Sequence, residues 1–420
     1  MRITTGDVFL IYSSYGLGFD YVIRRFVRMK DAVNGEMLEA ALRQTEKRYP
    51  YMSLRLRKNE SEYFWEENKE PVALLNTDRR IHLNHKETNY HVWAVCYKDD
   101  WIIIDFYHGI ADGVGRNSVV ATLLYYYCHV RYGVTEHKGI RTLEDPILPE
   151  ETADPLDALP PIDMAKLEMP KPEEVFSPIH DGGLKQAAAV TYDILLPEKA
   201  FVEFSSAHDG SPGIMLSLFL DRAVDAVFPQ RDKPIITPYI INCRPMLKAP
   251  ESHHNCISAA RLIYSDRLKK IPLSRQATIY RGRTFLACEE EMVIPQMTAM
   301  ASYTKYLLEN NPGIEEKKSA FADMLKGSRR NHTCMVSYVG KWKFPAIGEC
   351  IEELWTHSPE AVDFLAEVTA VNGKIGLSVL QKFEGESIID ALFAQLEEYG
   401  ISYELKWKTP LDVAYFPEPA

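Results

Sequence analysis

Apolar positions along the chain recur with two periods, near 3.6 and near 2, and the alternation of the two marks a mixed α/β protein. Met37, Leu38, Ala41, Leu42 and Thr45 share one face of a helix predicted over about residues 35–48, which Pro50 stops. Strands are predicted at Met52–Arg57 and Glu62–Trp65. His91–Tyr97 and Trp101–Tyr107, separated only by Lys-Asp-Asp, read as a hairpin. A helix follows from Gly113 to about Tyr132, with Val120, Leu124, Tyr127 and Arg131 along a stripe and Gly133 ending it.

Between Asp145 and Pro178 the pattern stops. Pro146, Pro149, Pro155, Pro160, Pro161, Pro170, Pro172 and Pro178 exclude a helix or a central strand, so the segment reads as an extended connector, lid or crossover. Beyond it the alternation resumes. A strand is predicted at Ala188–Leu196, then helices from about Pro197 to Ala207 and from Ser211-Pro212 to about Phe228, each with proline in its first turn. Pro234–Pro245 is an apolar strand ending in Asn242, Cys243 and Arg244, and residues 272–326 read as mostly helical. Thr333–Trp342 is a further strand. Glu360–Ala370 and Lys374–Phe383 flank Asn372-Gly373, a strong hairpin signal. Ser387–Tyr399 forms an amphipathic helix, and Ile401–Trp407 a last strand.

A chain of 420 residues is too long for one ordinary core and suggests two domains of roughly two hundred residues. We place the boundary near 180, giving lobes 1–180 and 181–420. The net charge of −11 argues against nucleic acid or an anionic membrane as main partner, while leaving room for a local basic patch. Such a patch is Lys317, Lys318, Lys326, Arg329 and Arg330, either a solvated face or an attraction for phosphates. The seven cysteines are scattered without a Cys-x-x-Cys pair, the usage expected of free thiols in a reducing, cytoplasmic setting. The opening residues do not read as a secretion signal, and no apolar run approaches the roughly 20 residues of a membrane span.

The chemistry concentrates where the Trp101–Tyr107 strand gives way to His108-Gly-Ile-Ala-Asp112-Gly113. A histidine at the end of a buried strand is rigidly held, and neutral imidazole suits proton removal from a hydroxyl or amine. Asp112 would shape the turn, most simply by pairing with a basic side chain, and Gly113 would permit an αL backbone or a close approach. Read from spacing alone, the stretch fits either a catalytic turn or a structural one. Other chemistries find less support. There is no Gly-x-Ser-x-Gly elbow, no phosphate loop and no dinucleotide fingerprint, Gly16-Leu-Gly18 being too short to count. His253-His254 with Cys256 lacks a second ligand pair, so no metal is expected.

His108-Gly-Ile-Ala-Asp112-Gly113 resembles the HxxxDG motif of the chloramphenicol-acetyltransferase-like superfamily, which includes condensation domains, plant BAHD enzymes, polyketide-associated acyltransferases and alcohol acetyltransferases. Condensation domains carry two adjacent histidines, and the first is Tyr107 here. VNGEMLEAALRQTEKRYPYMSLRL resembles the family's opening helix and strand, Asn242-Cys243-Arg244 the source of its bracing arginine, and Ser337-Tyr-Val-Gly340 a tunnel-lining strand. The resemblance implies an α/β fold of two such lobes, a pseudo-dimer with a central active-site tunnel. It further implies a standalone acyltransferase in which His108 is the general base and an Asp112–Arg244 ion pair braces its loop. An arginine merely exposed at a strand end is the plain alternative. Ser337 or Asn242 would steady an oxyanion and Tyr338 would line the tunnel; a strand serine meeting a backbone carbonyl, or a core tyrosine, is the plainer reading of each. The co-substrate would be acyl-CoA or an acyl-phosphopantetheine carrier protein, with a small-molecule hydroxyl or amine as acceptor and no bound cofactor. The alternatives are an amide-forming condensation enzyme and a non-catalytic binder of carrier proteins.

Overall fold

The structure is a computed structural model that describes residues 2–18, 21–162, 174–329, 331–358, 362–411 and 418–419. Two helices and three strands open it: α1 (Thr5–Leu17), β1 (Val22–Met29), α2 (Gly35–Arg48), β2 (Leu54–Lys58) and β3 (Tyr63–Glu67). β4 (Leu74–Asn76), β5 (Trp93–Lys98) and β6 (Trp101–Tyr107) follow, then α3 (Gly113–Tyr132). The second half carries β7 (Gln186–Pro197), β8 (Ile235–Asn242), β9 (Ile257–Tyr264), β10 (Met335–Lys341), β11 (Ile351–His357), β12 (Phe364–Val371), β13 (Lys374–Phe383) and β14 (Glu404–Pro410).

Two sheets organise these strands. The first has the order β11-β1-β6-β5-β4 and the second β14-β7-β13-β12-β10-β8-β9. The first core gathers residues of α1, α2, α3 and the first sheet, among them Leu38, Leu42, Val95, Ile104 and Leu124. The second gathers Ile194, Phe201, Leu218, Val336, Leu377 and Leu392 around the second sheet. β11 crosses between the two: it follows β10 in the chain, yet pairs antiparallel with β1, Arg24 opposite His357 and Phe26 opposite Trp355. A segment of the second half thus completes the first sheet.

Most predicted elements occur within a residue or two of their expected ends. Asn34 caps α2 by accepting from the Met37 amide at 3.0 Å, and Gly133 ends α3 with φ of 73°. On the α3 stripe Val120, Leu124 and Tyr127 are buried, whereas Arg131 is exposed. Pro197 sits one position before its helix (Glu198–Ala207), and the 272–326 stretch divides into helices Leu273–Ala287, Glu290–Asn310 and Ile314–Arg329. Asn372 and Gly373 both take positive φ, 47° and 76°, as a two-residue turn matched to strand twist requires. Pro170 and Pro172 of the connector, and Glu360 of the predicted strand, lie outside the described residues.

Among the labelled elements of the described residues, five go beyond the sequence reading: α1, β1, β4, β9 and β11. α1 buries polar Thr5, Asp7, Ser13 and Ser14 along with apolar residues, so it shows no clean helical period. β1 buries Arg24 and Arg25 in mid-strand, and β11 buries Glu353 and His357. Charges inside strands mask the apolar signal on which strand prediction depends.

Candidate active site

β6 delivers His108 to a turn whose backbone is tied down from both halves of the chain. The His108 amide donates to the Tyr21 carbonyl at 2.6 Å. Its carbonyl accepts from Asn255 Nδ2 at 2.8 Å, and the same amide nitrogen donates to Asp7 Oδ1 at 2.6 Å. Asp7 lies fully buried on α1 and also pairs with His254 Nδ1 at 2.7 Å. Neither Asp7 nor Asn255 stands out in the sequence, because the α1 stretch shows no clean helical period and Asn255 lies in a loop.

Asp112 is the N-cap of α3. Its Oδ1 accepts from the amides of Val114 (3.1 Å) and Gly115 (2.9 Å), and its Oδ2 from the Cys256 amide (3.1 Å). Arg244, the first residue of a one-turn helix after β8, meets both oxygens at 2.8 Å, so the pair is bidentate across the two halves. Every guanidinium donor is used: Nε reaches the Ser252 carbonyl (2.7 Å), Nη1 also Asn242 Oδ1 (3.1 Å), and Nη2 also the His254 carbonyl (2.8 Å). Burial opposes the Arg244 charge, but Asp112 outweighs it and raises the guanidinium further above its ordinary value.

Gly113 has no special backbone, and a Cβ there would meet only Val339, at 3.5 Å. The close approach expected of it belongs to Gly115 instead. A Cβ on Gly115 would stand 2.0 Å from the His253 carbonyl oxygen, because the 252–256 loop crosses directly over the start of α3. His253 Nδ1 meets the Gly115 carbonyl at 2.8 Å, and its Nε2 meets Tyr51 Oη at 3.0 Å. The two adjacent histidines are therefore braces, and among the described residues no group of side chains could hold a metal ion.

The imidazole of His108 is 9% exposed and borders a cavity of about 260 Å³. Asp112, Gly113, Asn242, Ser337 and Tyr338 border the same cavity, so the residues singled out in the sequence converge there, with Arg244 just behind. Burial, and next the Arg116 charge, hold His108 below its ordinary value against favourable contact with its own backbone. The ring is thus neutral at pH 7, the form that can accept a proton. Tyr107, one residue earlier, faces away, its hydroxyl 3.1 Å from Ser14 Oγ on α1.

The Asn242 amide and the Ser337 hydroxyl border the same cavity as the imidazole. Arg244 donates twice to Asn242 Oδ1, from Nη1 and from its backbone amide at 3.2 Å, which fixes the amide orientation and leaves Nδ2 to donate. Ser337 is directed toward the buried carboxyl of Glu367, its register partner across β10 and β12. In the basic run of the second half, Lys317 Nζ donates to the Ser61 carbonyl (2.7 Å), Lys318 pairs with Glu315 and Glu418, and Lys326 pairs at the surface with Asp323. Arg330 lies outside the described residues. All seven cysteines are free, Cys288 exposed and the others buried. Among the described residues no helix is long and apolar enough to cross a membrane.

No family profile and no curated protein sequence matches the chain. Solved structures do match over nearly its full length. F. graminearum TRI101 complexed with coenzyme A and deoxynivalenol superposes with a TM-score of 0.65 at 13% identity, over 96% of this chain and 99% of that one. The chain has the two-lobed chloramphenicol-acetyltransferase-like fold. Other proteins of this fold are equally distant in sequence. The trichothecene 15-O-acetyltransferase TRI3 from Fusarium sporotrichioides matches with a TM-score of 0.60 at 10% identity, over 95% and 93% of the two chains. The epimerization domain of the third module of tyrocidine synthetase B matches at 0.57 and 11%, over 91% and 90%.

Proposed function

We propose that the protein is an acyltransferase that moves an acyl group from a thioester to a hydroxyl or amine, with the His108 cavity as the meeting point inside a tunnel between the lobes. The observation that carries this reading is the buried, neutral imidazole of His108 on a cavity wall, its backbone anchored by Tyr21 and Asn255 and its turn locked by the Asp112–Arg244 pair. TRI101, of like fold, was crystallised with coenzyme A, which supports acyl-CoA as donor; an acyl-phosphopantetheine carrier protein would present the same thioester.

In the proposed sequence His108 takes the proton of the acceptor hydroxyl or amine as that atom attacks the thioester carbonyl. The tetrahedral intermediate collapses with cleavage of the carbon–sulfur bond, and the imidazolium returns its proton to the leaving thiolate. Asn242 Nδ2 is the group best placed to donate to the oxyanion, since its oxygen is held by Arg244. Ser337 stands second in that role because Glu367 competes for its hydroxyl. Asp112 touches no reacting atom; it positions the turn.

The test is release of free thiol from a panel of acyl-CoAs with pooled alcohols and amines, wild type against His108→Ala. Acceptor-dependent release is expected to fall roughly a hundred- to ten-thousand-fold in the variant. Full activity in a folded His108→Ala protein would refute the mechanism. Release only from carrier-bound acyl groups would assign the donor, and none from any donor would leave a non-catalytic carrier-protein binder as the better reading.

A further inference from the structure

β12, reading FLAEVTAV, is buried at every position, yet carries a glutamate at its centre. Glu367 is 7% exposed and borders the His108 cavity, on the same strand face as Leu365 and two residues from it. Its lateral neighbours are serines, Ser337 on β10 and Ser378 on β13. The neighbouring Ser337 and Ser358 hydroxyls and the guanidinium charges of Arg116 on α3 and Arg25 on β1 favour the ionised carboxyl. Oε2 is nevertheless buried without a hydrogen-bond partner. Burial pushes the carboxyl up despite the two arginines.

A role confined to neutralising Arg25 and Arg116 does not require a carboxyl that borders the cavity and keeps an unpaired oxygen. The cavity is otherwise greasy, with Phe9, Leu10, Ile240, Leu325 and Leu365 among its walls. Asp112, the other carboxylate bordering it, is saturated by Arg244 and three backbone amides. A ligand filling this space therefore meets a mostly apolar surface with a few polar groups, Asn242, Tyr338 and His332 among them, and beside Ser337 a carboxyl, that of Glu367, with an oxygen left unpaired.

We propose that Glu367 is a specificity-determining residue of this cavity, binding a second hydroxyl or amine of the acceptor. Acceptors with an apolar skeleton and two hydrogen-bonding groups, such as diols and amino alcohols, are then preferred over their monofunctional counterparts. The inference rests on the acyl-transfer reading. A site with a buried polar group discriminates strongly against a ligand that leaves it unpaired.

Matched acceptors test it: cyclohexanol against trans-1,4-cyclohexanediol, and 1-octanol against 1,8-octanediol, with acetyl-CoA as donor and thiol release as readout. In the wild type kcat/KM is expected to favour the diol by roughly tenfold or more, the scale of one hydrogen bond to a charged group. Glu367→Leu should bring that ratio close to one. Should Leu at this position prevent folding, as judged by circular dichroism, the isosteric Glu367→Gln serves; its neutral amide should lower the ratio by at least about threefold. A wild-type ratio near one, or a ratio unchanged in Glu367→Gln, overturns the inference while leaving acyl transfer standing. Absence of any His108-dependent release with all four acceptors removes the acyl-transfer reading and this inference with it.

Discussion

At the scale of single residues, the site is built from groups whose charges are fixed by burial rather than by solvent. His108 is held below its ordinary value of 6.5 by burial and by Arg116, so it stays neutral into mildly acidic solution. The acid limb of the kcat/KM profile is accordingly expected below pH 6.5, and a limb at or above that value would contradict this electrostatic picture. Arg244 makes a different demand. All five of its donors are satisfied inside the protein, two of them by a carboxylate that is 1% exposed. Arg244→Met would strand that carboxylate, at a cost of roughly 3–5 kcal/mol in urea unfolding. Adding Asp112→Asn should restore part of the loss, because the stranded charge, not the missing bond, is the larger penalty. If the double variant is less stable than Arg244→Met by a further full increment, the pair is contributing more than charge balance.

At the scale of elements, the start of α3 is where two requirements meet. Asp112 must cap the helix while the 252–256 loop passes over it, and the space for that loop exists only because residue 115 lacks a side chain. Gly115→Ala would force the loop or the helix apart; a loss of about 1–3 kcal/mol is expected, as for an overpacked core, together with most of the activity. Gly113→Ala meets only Val339 at ordinary contact distance and should keep the fold, any defect lying in cavity shape. Thermal melts and thiol release on the two variants separate these outcomes. The contrast also shows what sequence reading reaches. His108, Asp112, Arg244 and Asn242 were legible because they sit in short motifs at or just past strand ends, where period and composition change together, whereas Ser337, inside β10, was singled out only through the resemblance of its strand to a family strand. Gly115 was visible only as another glycine, since the backbone it admits comes from far along the chain. Glu367 was hidden for a related reason. Its strand was recognised from the Asn372-Gly373 turn, but which face borders the cavity depends on register with β10, set by contacts distant in sequence. α1 and β11 were missed because polar residues in each, Asp7 with Asn255 and Glu353 with Arg28, satisfy partners in the other half, which erases the one-sided pattern a local reading needs.

At the scale of the whole molecule, the two lobes are tied in ways that make independent folding implausible. Asp7 on α1 binds His254 and Asn255 of the second half; the pair raises His254 and lowers Asp7, in each case against burial. Its contribution is present in full below the ordinary histidine value of 6.5 and is lost as pH rises through the raised one; on the acid side it is lost as pH falls from the ordinary aspartate value of 3.8 through the lowered one. The protection factors of the α1 amides, exchange corrected for its intrinsic base catalysis, should therefore fall above neutral pH, and His254→Ala should abolish that fall.

The stronger tie is β11. It is covalently part of the second half, hydrogen-bonded to β1 in the first sheet, and its Trp355 packs edge-on against Trp407 of β14 at 5.6 Å. Withdrawing β11 would leave β1 with an open edge and remove a 2%-exposed tryptophan from the seam. Neither sheet can melt without exposing part of the other, so a single unfolding transition is expected despite the length of the chain. Urea curves followed by far-ultraviolet circular dichroism and by tryptophan fluorescence should coincide. Trp355→Ala should move both midpoints together, by roughly 3–5 kcal/mol, because the cavity opens at the junction and not within one core. Two separated transitions, in the wild type or only in the variant, would show that the lobes hold their structure independently and that the His108 turn relies on side-chain pairing alone to bridge them.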